Sequence, residues 1–261
     1  METGLEVEVK IEINGENITC KKEEVILTVC KRKNIDIPAF CYHKALGADQ
    51  RCGLCLVEVE EEDKKRVINF ACAQKAFEGL KIYTSTLKVK ELRKKAALLL
   101  LKKYDFSATT QTKELLEEIA GTKERKIQGK DSCFLCGLCI RACQKIGSKS
   151  LSFLYRSQKL MVRSTPLKEE YVSCLGCSAC YHLCPTKHIQ KVEEEYKITF
   201  EPTATYAFKF KCHNCKKPFK SKTAVDYLKQ IFGPKKWLEL CPECRRQNLA
   251  RKKINKDGTG D

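Results

Sequence analysis

The sequence has no GxGxxG fingerprint, no glycine-rich flavin loop and no pair of carboxylates spaced for proton chemistry. Nothing in it therefore reads as a dinucleotide site or a substrate site of its own. No apolar stretch approaches the roughly 18 residues that a helical membrane span needs. No basic segment followed by an apolar core opens the chain, so no secretory signal is expected and a cytoplasmic location is. Glutamine and methionine are scarce beside abundant lysine and glutamate, a composition that leans thermophilic. Residues 88–128 contain neither cysteine nor histidine, so no metal site is expected there.

Cysteine is what the chain has in excess, 18 among 261 residues. In a reducing cytosol such density points to metal binding rather than to disulfides. Two runs, DSCFLCGLCIRAC and SCLGCSACYHLCP, each space four cysteines as C-x2-C-x2-C-x3-C. That is the spacing with which bacterial-type ferredoxins hold 4Fe–4S clusters, the fourth cysteine of each run serving the other cluster. Cys133, Cys136, Cys139 and Cys184 are thus expected on one cluster, and Cys143, Cys174, Cys177 and Cys180 on the other. Pro185 follows Cys184, whereas Gln144 follows Cys143, a departure that removes no ligand. Arg141, Lys145 and Lys187 would raise cluster potentials or simply solubilise the face. His182 and His188 are expected as surface histidines without a role.

A third set has a different rhythm. Cys41, Cys52, Cys55 and Cys72 are separated by ten, two and sixteen residues. Three neighbouring ligands and one remote one, around a small sheet, are how a plant-type ferredoxin encloses a 2Fe–2S cluster, although the first gap here is longer. The long, uneven spacing argues against structural zinc. VEVKIEING alternates and turns at Asn14-Gly15 into a second strand through Ile18 and Cys20. A short helix is predicted over 25–33 and a strand over Leu54 to Glu60. Gly47 and Gly53 suit a loop whose N–H groups turn toward sulfur. Cys20 and Cys30 belong to no motif and are expected as small buried hydrophobes.

KVKELRKKAALLLLKKY predicts a helix packed through Val89, Leu92, Ala96 and Leu99, with its lysines in water. TKELLEEIAG predicts a shorter helix ending at Gly121. Toward the C terminus, Cys212 and Cys215, then Cys241 and Cys244, form two C-x2-C pairs around a helical pattern over 223–232. Structural zinc uses such pairs; a further iron–sulfur cluster or a mononuclear iron stays open. So short a segment would draw much of its folding energy from the metal. His213 is expected to stay out of the ligand set. The basic tail, with Arg245, Arg246, Arg251, Lys252 and Lys253, suits docking to another subunit, since the interleaved aromatics of a nucleic-acid site are missing. The formal charge of +17 overstates the basicity. Four tetrathiolate sites of about −2 each would bring the loaded protein to about +9.

NIDIPAFCYH, RCGLCLVEVE and NFACAQKAFEGLKIYT resemble the N-terminal domain of a family of electron-transfer proteins. It includes the large electron-transfer subunit of respiratory NADH dehydrogenase, iron-only hydrogenases and NAD-linked formate dehydrogenases. KSLSFLYRSQKLMVRSTPL resembles the insert between the two cysteine runs in the hydrogenases and formate dehydrogenase subunits. The resemblance implies an α+β chain in four parts. Residues 1–85 would be a plant-type 2Fe–2S ferredoxin-like (beta-grasp) domain. Residues 86–129 would be a helical connector lacking the His/Cys3 cluster often found there. Residues 130–195 would be a two-cluster 4Fe–4S ferredoxin domain, and 196–261 a zinc-ribbon-like module with a basic tail.

It further implies a non-catalytic redox subunit of an oxidoreductase complex, in anaerobic metabolism. Single electrons would pass between a flavin- and NAD(P)-binding subunit and a catalytic subunit of hydrogenase, formate dehydrogenase or tungsten aldehyde oxidoreductase type. Flavin-based bifurcation with soluble ferredoxin is a further option. The alternatives are a free-standing polyferredoxin shuttle and, more remotely, a nucleic-acid-binding zinc/iron–sulfur protein.

Overall fold

The computed structural model describes residues 7–122, 131–156, 159–164 and 174–257. Parts of the expected connector (123–130) and insert (157–158, 165–173), and the side chains of Lys252 and Lys253, lie outside the described residues. The chain forms two compact units, residues 1–138 with 185–188 and residues 139–184 with 189–261.

The first unit is built on a five-stranded sheet. Strand β1 (Glu8–Ile13) turns Val9, Ile11 and Ile13 inward, as its alternation requires. Asn14 and Gly15 both take positive φ (53° and 90°), which reverses the chain into β2 (Glu16–Lys21). Helix α1 (Ile26–Arg32) buries Ile26, Leu27, Val29 and Cys30. β3 (Leu56–Glu60), β4 (Arg66–Phe70) and β5 (Lys81–Tyr83) complete the order β2-β1-β5-β3-β4. The β1–β5 pair is parallel and the others antiparallel, the mixed sheet of the expected beta-grasp arrangement. Cys20 and Cys30 sit in its apolar core, as small hydrophobes would.

Helix α2 (Leu87–Lys103) starts at Thr86, whose hydroxyl accepts from the Val89 N–H at 3.2 Å. α3 (Thr110–Ala120) ends at Gly121, at φ 67°. The packed face of α2 differs from the expected stripe. Val89, Arg93, Ala97, Leu100 and Leu101 point inward, whereas Leu99 is 68 % exposed. The cause is Arg93, whose guanidinium reaches into the domain and donates to the Leu56 carbonyl at 2.6 and 3.1 Å. A pattern that places every basic residue in water therefore sets this helix one position out of register.

In the second unit α4 (Leu138–Lys145) precedes an antiparallel hairpin of β6 (Leu151–Arg156) and β7 (Lys159–Ser164). A single turn, α5 (Ala179–His182), lies within the second cysteine run. β8 (Gln190–Glu193), β9 (Lys197–Glu201), β10 (Thr205–Lys211) and β11 (Pro218–Ser221) form a sheet in the order β11-β10-β9-β8. Because β8 pairs with β9, this sheet runs across position 195. Helix α6 (Lys222–Phe232) is capped by Ser221, and α7 (Pro242–Asp257) is the last element among the described residues. Among the described residues no helix is long and apolar enough to cross a membrane.

The rotated face of α2 has a direct test. Leu100→Ala, at a buried position, should cost about 2–4 kcal/mol. Leu99→Ala should stay within about 0.5 kcal/mol. Anaerobic denaturant titration of the loaded protein measures both.

Candidate metal centres

Cys41 lies on the loop after α1, Cys52 and Cys55 on the loop that leads into β3, and Cys72 just past β4. All four are at most 3 % exposed. Their sulfurs are gathered two by two: Cys41 and Cys52 Sγ are 3.5 Å apart, Cys55 and Cys72 Sγ 3.2 Å. A rhombic 2Fe–2S cluster takes two thiolates on each iron, and this pairing would supply them. Gly47, Gln50 and Gly53 all have positive φ (75°, 53° and 70°). These turns aim backbone N–H groups inward. The Cys52 thiol, followed by the N–H groups of Cys52, Arg51 and Asp49, brings the Cys41 thiol down to about 5. The shared proton pushes Cys52 up. In the other pair, Cys72 is lowered by its contact with Cys55, and Cys55 is raised by the same contact. In each pair, contact between the two sulfurs lowers one thiol and raises its partner. At Gly53 an added Cβ would meet the Ala96 Cβ at 3.2 Å, so α2 lies directly on the ligand loop.

The two ferredoxin-like runs share a backbone signature that their spacing alone does not contain. In the first, Leu135 and Gly137 have positive φ (60° and 72°); in the second, Gly176 and Ser178 do (61° and 62°). These are the second and fourth positions after the first cysteine of each run. Each run then enters a helix, α4 or α5, carrying its third cysteine. Cys143, Cys174, Cys177 and Cys180 line one cavity in the second unit, closed by Leu151, Phe200 and Thr205. The Cys143 and Cys174 sulfurs accept from the N–H groups of Ser150 (3.1 Å) and Gly176 (3.4 Å). Burial, and then the negative charge of neighbouring thiolates, raises Cys174 to about 11 and Cys180 to about 12. Four thiolates gathered in one cavity would repel one another, and a positive centre bound there would offset that repulsion. The remaining four divide differently: Cys133 and Cys136 belong to the first unit, Cys139 and Cys184 to the second.

His188 corrects an expectation. It is half-buried, and its Nδ1 lies 2.8 Å from the Ser132 hydroxyl and 3.7 Å from Asp131, so it ties the start of the first run rather than facing solvent. His182 is exposed, as expected.

The C-terminal set is the most compact. The sulfurs of Cys212, Cys215, Cys241 and Cys244 all lie within 4.8 Å of one another, with Cys215 and Cys241 3.7 Å apart. One tetrahedral ion with bonds of about 2.3 Å to sulfur separates its ligands by about 3.8 Å. The iron-free cube corners of a 4Fe–4S cluster are filled by sulfide, and its thiolates radiate outward, so this tight cage suits a single ion. The first pair sits in the turn between β10 and β11, the second at the start of α7. Burial alone would raise Cys212, but the N–H groups of Cys241, Cys215 and Asn214 bring it down to about 6. His213 turns away to Glu239 at 3.1 Å.

Residues 6–86 match the 2Fe-2S iron-sulfur cluster binding domain family. A subunit of the NADH-quinone oxidoreductase of Rhizobium meliloti (strain 1021) is 25 % identical over 215 residues, 72 % of this chain and 25 % of that protein. The 75 kDa subunit of NADH-ubiquinone oxidoreductase of Reclinomonas americana is 38 % identical over 85 residues, 33 % of this chain and 12 % of that protein. The chain thus spans a quarter or less of the length of these curated relatives. Among solved structures, a chain of NAD+-reducing [NiFe]-hydrogenase in the H2-reduced state matches with a TM-score of 0.55 and 16 % identity. The match covers 89 % of this chain and 99 % of that one, a likeness of fold. Residues 6–86, which carry Cys41, Cys52, Cys55 and Cys72, are thus similar to 2Fe-2S iron-sulfur cluster binding domains. Over most of its length the chain is similar to a subunit of an NADH-quinone oxidoreductase.

Two substitutions read the sites. Cys215→Ser should lose about one metal ion per chain by elemental analysis, whereas His213→Ala should keep it. Gly176→Ala should disturb the second-run cluster, because its Cβ would sit 3.1 Å from Ser221 and 3.2 Å from Ala207 at a φ of +61°. Its iron content should fall while the 2Fe–2S absorption persists.

Proposed function

We propose that this chain is an electron-transfer subunit of a multisubunit oxidoreductase, relaying single electrons and performing no substrate chemistry itself. The observation that carries this reading is the two-by-two pairing of Cys41 with Cys52 and Cys55 with Cys72 on a chain that also gathers Cys143, Cys174, Cys177 and Cys180 in one cavity. When bound, the clusters supply reversible one-electron chemistry, and the protein sets their potentials through burial and hydrogen bonds to sulfur. The first 4Fe–4S cluster is assigned to Cys133, Cys136, Cys139 and Cys184 on the interleaved spacing, the second to the cysteines of the cavity. The four C-terminal cysteines are assigned to zinc, as their single-ion cage favours.

In this reading a flavin- and NAD(P)-binding subunit exchanges electrons with the 2Fe–2S centre. The ferredoxin-type clusters pass them to or from a catalytic subunit of hydrogenase, formate dehydrogenase or tungsten aldehyde oxidoreductase type, in the cytoplasm of an organism with anaerobic metabolism. Exchange with soluble ferredoxin would make the assembly bifurcating. The relatives named for NADH oxidation and the hydrogenase of like fold support the subunit reading over a free shuttle.

Elemental analysis and EPR of the reduced protein test the cofactors. About ten irons, one zinc, and signals from one 2Fe–2S and two 4Fe–4S centres are expected. About fourteen irons without zinc would sink the zinc assignment. Co-purification with flavin-containing subunits tests the role; a monomer that exchanges electrons freely would favour the shuttle, and tight, salt-dependent binding of random nucleic acid the third reading.

A further inference from the structure

Arg93 is a buried cation in an otherwise apolar place. It is 9 % exposed, halfway along a helix whose other basic residues face water. No carboxylate among the described residues forms an ion pair with it. Its hydrogen-bonding partner is the Leu56 carbonyl, reached by both Nε and Nη2. Leu56 directly follows Cys55. One helical turn further on, Ala96 lies against Gly53 on the same loop. Helix α2 thus grips the Cys52–Cys55 segment at both ends, by a methyl contact at one and a charged fork at the other.

A guanidinium without a counter-ion costs several kcal/mol to bury. The charges that act on it explain why it is tolerated. Burial lowers its pKa, and Cys55, then Asp36 and Cys30, act to raise it. Asp36 is exposed and screened by solvent. The Cys55 sulfur is buried and is one of the four ligands. With a tetrathiolate 2Fe–2S centre in place, the site carries a net charge of about −2, and about −3 after reduction.

We propose that Arg93 is a positioning residue for the 2Fe–2S centre. It fixes the Cys55–Leu56 peptide, and its buried charge favours the reduced cluster, holding the midpoint potential above what the thiolates alone would give. This rests on the reading of Cys41, Cys52, Cys55 and Cys72 as a 2Fe–2S site. Zinc in that site would not change charge by redox and would give Arg93 nothing to tune.

The test is an EPR-monitored potentiometric titration of the loaded full chain with three variants. Arg93→Met removes the charge and the hydrogen bonds, Arg93→Gln keeps a donor for Leu56 without the charge, and Arg93→Lys keeps the charge without the fork. In both neutral variants the 2Fe–2S midpoint should move negative by about 59 mV, a tenfold fall in the reduced-to-oxidised ratio at fixed potential. Arg93→Lys should recover most of that shift, and the 4Fe–4S signals should not move. Loss of the cluster from both neutral variants but not from Arg93→Lys would also support the role of the charge. Unchanged midpoints, or equal effects in all three variants, would overturn it. A wild-type chain without a 2Fe–2S signal would instead overturn the functional reading and leave the cause unambiguous.

Discussion

Sulfur atoms held 3.2 to 3.7 Å apart are the constraint on which the rest of this structure depends. Two thiolates at that distance repel strongly, and burial strengthens the repulsion by thinning the dielectric. The chain meets this in two ways. It lets neighbouring thiols share protons, which separates the affinities of Cys41 from Cys52 and of Cys72 from Cys55. It also aims backbone N–H groups at the sulfurs, as at Cys41, Cys143, Cys174 and Cys212. Neither device cancels the charge of four thiolates. A cationic centre would complete each site and would thereby couple metal binding to the fold.

Aiming N–H groups at one point requires the backbone to curl in ways that L-residues resist. Positive φ at Gly47, Gln50 and Gly53, and again at corresponding positions of the two later runs, is the visible cost. Three of these positions are not glycine: Gln50, Leu135 and Ser178. Strain of about 1 kcal/mol at each such residue persists only where surrounding structure over-determines it. Phe134 shows one source of that determination, since the rings of Phe40, Tyr104 and Phe106 all lie about it, with centroids 6.3 Å away.

Much of this was legible because cysteine spacing is a chemical statement. The hairpin at Asn14-Gly15, α1, and α3 with its glycine end could be read from period and composition alone, and the gathering of Cys212, Cys215, Cys241 and Cys244 from their spacing. The sequence was least informative where one residue type can do two jobs. Arg93 reads as one more surface cation in a lysine-rich helix, yet it points inward and turns the packed face away from Leu99. His188 reads as a surface histidine, yet it bonds Ser132. In both cases the deciding partner, Leu56 or Ser132, is distant in sequence, and no local pattern encodes a long-range hydrogen bond.

The C-terminal module illustrates the same point at a larger scale. Read as a short segment stabilised by its own ion, it would stand apart from the ferredoxin-like runs. In the second unit its sheet instead closes the cysteine cavity: Phe200 and Thr205 line it, and Gly176 presses against Ala207 and Ser221. Ser221 does two things at once. Its hydroxyl caps α6 by accepting from the Ala224 N–H at 3.0 Å and donates to the Leu175 carbonyl at 2.5 Å, inside the second cysteine run. The strand that ends in Ser221 begins just after the Cys212–Cys215 turn. A metal that orders that turn therefore also orders the wall of the neighbouring cavity. A redox-inactive ion would suit this, because it would keep its charge and geometry if a cluster bound in that cavity changed state. On the proposed electron-transfer reading the module's contribution would be mechanical, bracing the Cys174–Cys180 loop through Ser221 and Ala207.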